Sequence, residues 1–262
     1  TFTLRADATS RFNKDNRWGY FPAAALAWRI NNESFMQGTA GWLSDLKLRL
    51  GWGQTGQQDV GSWNNYTVTY QQSQGTVLYP NGFNGWYNPY FANGYNDKLK
   101  WETTTSYNVG IDFGLFNNRI MGSIEGYYRK TTDLLSYVTV PAGSSTVNML
   151  NKNIGDLENY GVEFNITARP IVTNDFNWTL TYNVGYNHNK ITKLNDNEAV
   201  YETGPGIGAQ GQKAMANKVG YAANTFWLYQ QVYDANGDPI EGVYVDQNGD
   251  GQIDNKDRIL NH

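Results

Sequence analysis

The sequence predicts an all-β protein: an antiparallel transmembrane β-barrel segment of about seven long strands with long extracellular loops. Three observations predict it. Apolar and polar residues alternate with period two over long stretches. Several of these runs exceed the roughly 5–6 residues of an ordinary strand and reach the roughly 9–11 needed to cross a bilayer obliquely. The connections between them are short at one end and long at the other, as in outer-membrane barrels.

The elements follow in order. Phe2, Leu4, Ala6 and Ala8 alternate with Thr3, Arg5, Asp7 and Thr9, which gives a strand at about 1–9. A second, less regular strand covers about 18–30. Leu46, Leu48, Leu50 and Trp52 alternate with Lys47, Arg49, Gly51 and Gly53 and give about 45–54. Tyr107, Val109, Ile111, Phe113 and Leu115 mark one face of a fourth strand at about 98–115, and a fifth covers about 119–131. Tyr160, Val162, Phe164, Ile166 and Ala168 define about 157–169, and Phe176, Trp178, Leu180, Tyr182, Val184 and Tyr186 define about 175–190. Phe116-Asn117-Asn118 and the segment from Pro170 to Asn174 are short connections after the fourth and sixth strands. The long ones, about 55–97, 132–156 and 191–262, fall at the opposite end because hairpin-joined strands alternate direction. Trp28, Trp42, Phe116, Phe176 and Trp178 lie toward the short-turn end, and Trp18, Tyr20, Trp101, Tyr128 and Tyr186 toward the long-loop end. Two aromatic bands are expected where a barrel meets the lipid headgroups.

Composition agrees. Of 262 residues, 40% are hydrophobic, 15% aromatic and 17% charged, against about a quarter charged in soluble domains. The polarity comes from Asn, Gln, Thr, Ser, Tyr and Gly, which suits two-faced strands better than helices. Cysteine is absent, which excludes disulfides and thiolate metal sites. A net charge of -4 argues against a nucleic-acid partner. No run of about 18 apolar residues occurs, so no transmembrane helix is expected. Thr1 falls inside a strand, which predicts a mature, truncated or partial chain.

Segments in series resemble one family. They are Trp18–Ile30, Leu46–Gly56, Leu99–Thr105, Asn118–Leu135, Asn153–Glu163 and the Asp-rich run from Asp246. Together they resemble the SusC/RagA family of TonB-dependent outer-membrane transporters, in its middle-to-late barrel portion. The resemblance implies a 22-stranded barrel, an N-terminal plug that is absent here, and a SusD-like surface lipoprotein over the outer face. It also implies energy from the TonB complex, and oligosaccharide or peptide substrates imported across the bacterial outer membrane. The remaining barrel and plug segments and the lipid bilayer would be further partners. The competing reading is a soluble, aromatic-rich β-sandwich that binds carbohydrate. It would bury the apolar face against a second protein layer.

Asp246, Asn248, Asp250, Gln252, Asp254 and Asp257 have the spacing of an EF-hand-type calcium loop, Gln252 through its carbonyl and Asp254 through water. An Asn/Gly/Asp-rich turn without metal also fits these residues. Trp86, Tyr87 and Tyr90, with Phe83 and Phe91, form an aromatic cluster that could stack on a ligand or pack the loop on itself. Gly51 to Gly56 reads G-x-G-x-x-G, but no helical stripe follows, so nucleotide binding is not expected. Gly204-Pro205-Gly206-Ile207-Gly208 reads as a flexible turn. Glu125 and Glu163 fall on polar strand faces and are expected to be solvated, not an acid–base pair. His188 and His262 form no triad, and no enzyme activity is expected.

Overall fold

The computed structural model describes residues 1–61, 65–72, 79–80, 86–141, 143, 145–194, 200–207 and 212–261, the side chains of 79–80, 86–87, 139 and 207 excepted. The chain divides into two compact units, Thr1–Asn187 and His188–His262.

A seven-stranded antiparallel sheet builds the first unit, and its strands follow one another in chain order. They are β1 Phe2–Ala8, β2 Trp18–Arg29, β3 Leu43–Gln57, β4 Glu102–Leu115, β5 Ile120–Thr132, β6 Asp156–Val172 and β7 Asn177–Lys193. The last residues of β7 pass into the second unit. This up-and-down order is the simplest that hairpins can give.

Register decides which residues share a face, because directly opposed residues point the same way. Leu48 opposes Ile111, Ile111 opposes Ile124, and Ile124 opposes Phe164. Two residues along, Leu50, Val109, Gly126 and Val162 make the next row, and Trp52, Tyr107, Tyr128 and Tyr160 the next. One face of the sheet is therefore an unbroken apolar belt ending in an aromatic row. Tyr107 and Tyr128 in that row have ring centroids 6.3 Å apart. The belt is uncovered: Ile111 is 42% exposed and Val109 48%, although both lie in a central strand. A sandwich would bury this face against a second layer, and none packs on it among the described residues. The aromatic side chains of the opposite end, Trp28, Trp42, Phe116 and Phe176, are exposed as well.

Several strand limits differ from those the sequence predicts. β3 is longer at both ends, and β6 and β7 each run three residues further toward their C-termini. β4 starts at Glu102, not at about 98. Asn153 holds the preceding residues instead: its carboxamide accepts from Lys100 N at 2.9 Å and donates to Lys100 O at 2.8 Å. The β4–β5 turn places Phe116, Asn117 and Asn118 at φ near +55°. Asn tolerates that region and Phe does not, and Phe116 N donates to Trp42 O at 2.7 Å to hold it.

The long connections have structure of their own. Tyr70–Gln72 pairs with Tyr90–Ala92, Tyr79–Pro80 with Trp86–Tyr87, and Leu135–Thr139 with Met149–Asn153. The second unit holds a four-stranded sheet in the order Tyr201–Ile207, Gln212–Asn217, Thr225–Tyr229, Arg258–Asn261, and a hairpin of Gln231–Tyr233 with Pro239–Tyr244. The turn expected at 204–208 is strand as far as Ile207, with a register shift between Thr203 and Gly206 that absorbs Pro205; Gly208 lies outside the described residues.

Candidate functional site

The face opposite the apolar belt is polar and carries a row of charges. Arg49 grips Asp112 with two nitrogens, Nε to Oδ2 at 2.9 Å and Nη2 to Oδ1 at 2.9 Å. Its Nη2 also reaches Glu125 Oε2 at 3.1 Å, and Lys47 Nζ lies 3.6 Å from Asp112. Gly110 opposes Arg49 in the register, and its missing side chain leaves room for the guanidinium. Glu125 and Glu163 stand directly opposite each other. Glu125 is bound to Arg49 and Glu163 is exposed, so the pair is a solvated part of this face.

At the long-loop end the polar face holds an apolar knot that alternation did not reveal. Phe21 opposes Arg5 and so points to the polar side. Gly19 and Gly56 make space for its ring, since a Cβ at either would overlap it. Trp101 meets Phe21 edge-on at 5.4 Å and Phe12 at 5.9 Å. Phe12 and Leu99 are fully buried. Trp101 Nε1 donates to Arg17 O at 3.1 Å and Asn16 Nδ2 to Leu99 O at 3.1 Å, which ties the 9–17 connection down over this side. The sequence signal was an aromatic in the wrong phase two residues after Gly19, and nothing in the sequence links it to Gly56 on β3.

Gly51 to Gly56 lies wholly inside β3, so no turn into a helix exists there and a dinucleotide cradle is excluded. Of the loop aromatics, Tyr90 is 68% exposed and Phe91 is exposed too. Trp86 and Tyr87 form a short strand whose side chains lie outside the described residues, as does all of Phe83. His188 is half-buried on β7, and His262 lies outside the described residues.

The Asp-rich loop folds on its own backbone. Asp246 accepts from Gly249 N and Gly251 N, both at 2.7 Å. Asn248 Oδ1 accepts from Asp250 N, and Asp250 Oδ1 from Gln252 N, both at 2.9 Å. Gly249 and Gly251 take φ of 74° and 78°, which only glycine adopts freely. Asp257 is fully buried and accepts from Gln247 N at 2.9 Å and Asp254 N at 2.8 Å. The N–H of Asp254 foremost, with those of Gln247 and Asn248, holds its carboxyl below the usual range against the opposing effect of burial. Next to it, Arg258 stacks on Trp227 at 3.8 Å, donates to Trp227 O and Lys213 O, and anchors the loop to the four-stranded sheet. The spacing and Asx turns suit calcium. However, no group of three His, Cys, Asp or Glu side chains is gathered around a common point among the described residues.

Comparison with known proteins matches this architecture. Residues 1–257 match the family model described as TonB dependent receptor-like, beta-barrel. The chain is 51% identical, over 99% of its length, to the TonB-dependent receptor SusC of Bacteroides thetaiotaomicron. It is 33% identical, over 99%, to the TonB-dependent receptor P3 of Formosa agariphila. A structure of the RagAB peptide transporter superposes on 91% of the chain with a TM-score of 0.72 at 26% identity. The chain spans 26% of the length of SusC, 27% of P3 and 26% of the RagAB chain. These relatives are described as TonB-dependent receptors and a peptide transporter. An open antiparallel sheet with one greasy and one charged face, matched end to end by such relatives, places the chain in the TonB-dependent receptor-like β-barrel family of outer-membrane proteins.

Proposed function

We propose that the chain is part of the wall and outer loops of a SusC-like importer that takes up oligosaccharides or peptides with energy supplied through TonB. A SusD-like lipoprotein over the outer face would complete the assembly. One observation carries this reading: the sheet presents hydrocarbon-compatible side chains on one side and the Lys47, Arg49, Asp112, Glu125 network on the other. Such a wall separates lipid from an aqueous interior and contains no chemistry of its own. The relatives support import, and RagAB is a peptide transporter by description.

The test uses cells in which the full-length protein is the sole uptake route for a labelled glycan or peptide. Uptake should vanish when TonB is deleted and fall sharply when the lipoprotein partner is removed. Uptake that persists without TonB overturns the energy assignment.

We also propose that calcium binds at Asp246, Asn248, Asp250, Gln252 and Asp257, with Asp254 acting through water. Its support is the ligand spacing and the two left-handed glycines. Its role would be to stiffen the loop, not to react. Trp86, Tyr87 and Tyr90 are proposed as ligand-stacking residues, with the exposure of Tyr90 in favour.

A further inference from the structure

Three connections leave the long-loop end of the first unit, at 9–17, 58–101 and 133–155. Carboxamides tie them to one another. Asn16 Nδ2 donates to Leu99 O and joins the first to the second. Asn96 Nδ2 donates to Asn151 O at 3.0 Å, and Asn151 Nδ2 donates to Val60 O at 3.2 Å. Asn151 therefore fastens both the start and the end of the second connection to the third. Asn153, which brackets Lys100, also donates to Asp133 O at 2.9 Å. Gly94 lies so close to Val147 and Leu150 that a Cβ there would overlap both. Asn96, Asn151 and Asn153 are half-buried, so water competes less for their amides than at an open surface. The third connection is bent over the second. Between the β5–β6 ladder and the hairpin of Leu135–Thr139 with Met149–Asn153 stand two left-handed residues, Asp133 at φ 57° and Gly155 at φ 91°. Asp and Gly are among the residues that tolerate this region.

We propose that this asparagine set is a latch that makes the three connections one rigid body, released only as a unit about the bend at Asp133 and Gly155. The bonds from Asn96 to Asn151, from Asn151 to Val60 and from Asn153 to Lys100 span 55, 91 and 53 positions. Once one of them has closed its loop, the partners of the next are already within reach, so the set makes and breaks together. This side of the outer mouth then moves as one piece and not as three flaps. That consequence rests on the import reading, whereas the latch itself does not. Carboxamides carry no charge, so the latch is indifferent to salt. The neighbouring ion pairs, Arg11 with Asp59 and Lys100 with Asp133, are partly exposed and would be screened.

The test is hydrogen exchange of the full-length protein in detergent, read by mass spectrometry over 9–17, 57–61, 93–101 and 133–155. Asn151→Ala should speed exchange about tenfold in 57–61 and 93–101 as well as in its own hairpin, the effect of losing one good polar contact. Asn96→Ala cuts the same link from the other side and should speed 133–155 by a similar factor. Asn148→Ala, in the same hairpin but with an exposed side chain, should change nothing. Raising salt from about 50 mM to about 500 mM should leave the parent unchanged. Heat-modifiable gel migration confirms that every variant is folded. Acceleration confined to the mutated connection in both Asn151→Ala and Asn96→Ala overturns the latch, as does a parent whose three connections exchange at unrelated rates. Protection lost on adding salt also overturns it and assigns the coupling to the ion pairs. Cellular uptake tests the import reading separately, so the two failures are told apart.

Discussion

Replacing Ile111 by Arg tests the assignment of the two faces directly. Ile111 lies four residues from Tyr107 in the outer aromatic row and five from Phe116 at the short-turn end. At about 3.3 Å per residue and a tilt of about 40°, Tyr107 and Phe116 are about 23 Å apart along the membrane normal, close to the roughly 25 Å apolar band of such barrels. Ile111 then sits about 10 Å below the outer row, near the midplane. An Arg there on the lipid side costs about 2–4 kcal/mol, or about 30-fold to 700-fold in the folding equilibrium. Ile111 is 42% exposed in the sheet, so little of the effect comes from lost protein packing. Asn108, three residues earlier in the same strand, faces the other way and opposes Gly51 and Tyr127. Asn108→Arg should stay within about 0.5 kcal/mol of the parent. The assay is reversible denaturant unfolding of the full-length barrel in lipid vesicles. Equal destabilisation by the two arginines would refute the assignment of faces.

Three further outcomes are expected. Gly56→Ala should destabilise the long-loop end by about 1–3 kcal/mol, because its methyl group collides with the Phe21 ring; limited proteolysis of the 9–17 connection should accelerate, and an unchanged cleavage rate would disprove the knot. Asp257 has a folded-state pKa below its unfolded value, so its contribution is full above an unfolded value of about 3.9 and is lost as pH falls through the folded one. Backbone exchange of the Asp246–Asp257 loop should therefore quicken on acidification below about pH 4, and Asp257→Asn should flatten that response. Calcium should slow the same exchange and a chelator should reverse it; indifference of the loop to calcium at millimolar concentration would leave a metal-free Asx turn as the correct description.

The strands were legible because lipid and water impose opposite demands on successive residues. The run from Tyr107 to Leu115 states its face without help from any neighbour. Its start was not legible. Leu99 and Trp101 look like continued strand, but Asn153, more than fifty positions away, takes both backbone groups of Lys100. Phe21 was hidden for a related reason. It breaks the phase of β2, and the space that accepts its ring belongs partly to Gly56 on β3, beyond its strand neighbours. The Asp-rich loop was legible as a motif, but the burial of Asp257 and its neighbour Arg258 against Trp227 depends on a sheet whose strands are far apart in sequence.

The edges of the sheet complete the physical argument. Among the described residues β1 is paired only with β2, and β7 only with β6. β1 begins at the aromatic row, because Phe2 opposes Ala24 and Ala24 opposes Trp52, whereas β7 carries Trp178, Leu180, Tyr182 and Val184 through the apolar belt. The free N–H and C=O groups of β7 lie where no water can serve them, and each unsatisfied group in hydrocarbon costs several kcal/mol. The 17-residue β7 with one free side already exceeds the net stability of about 5–15 kcal/mol typical of a folded protein. The wall is therefore stable in a membrane only when further strands close it, in keeping with relatives about four times its length. Closure can be tested by pairing cysteines introduced on β1 and β7 with cysteines on the strands that flank this segment in the full-length protein. Disulfides should form across both seams in the outer membrane. A seam that never crosslinks, while a β2–β3 control at Leu26→Cys and Leu50→Cys does, would mean that the edge is shielded by something other than a neighbouring strand.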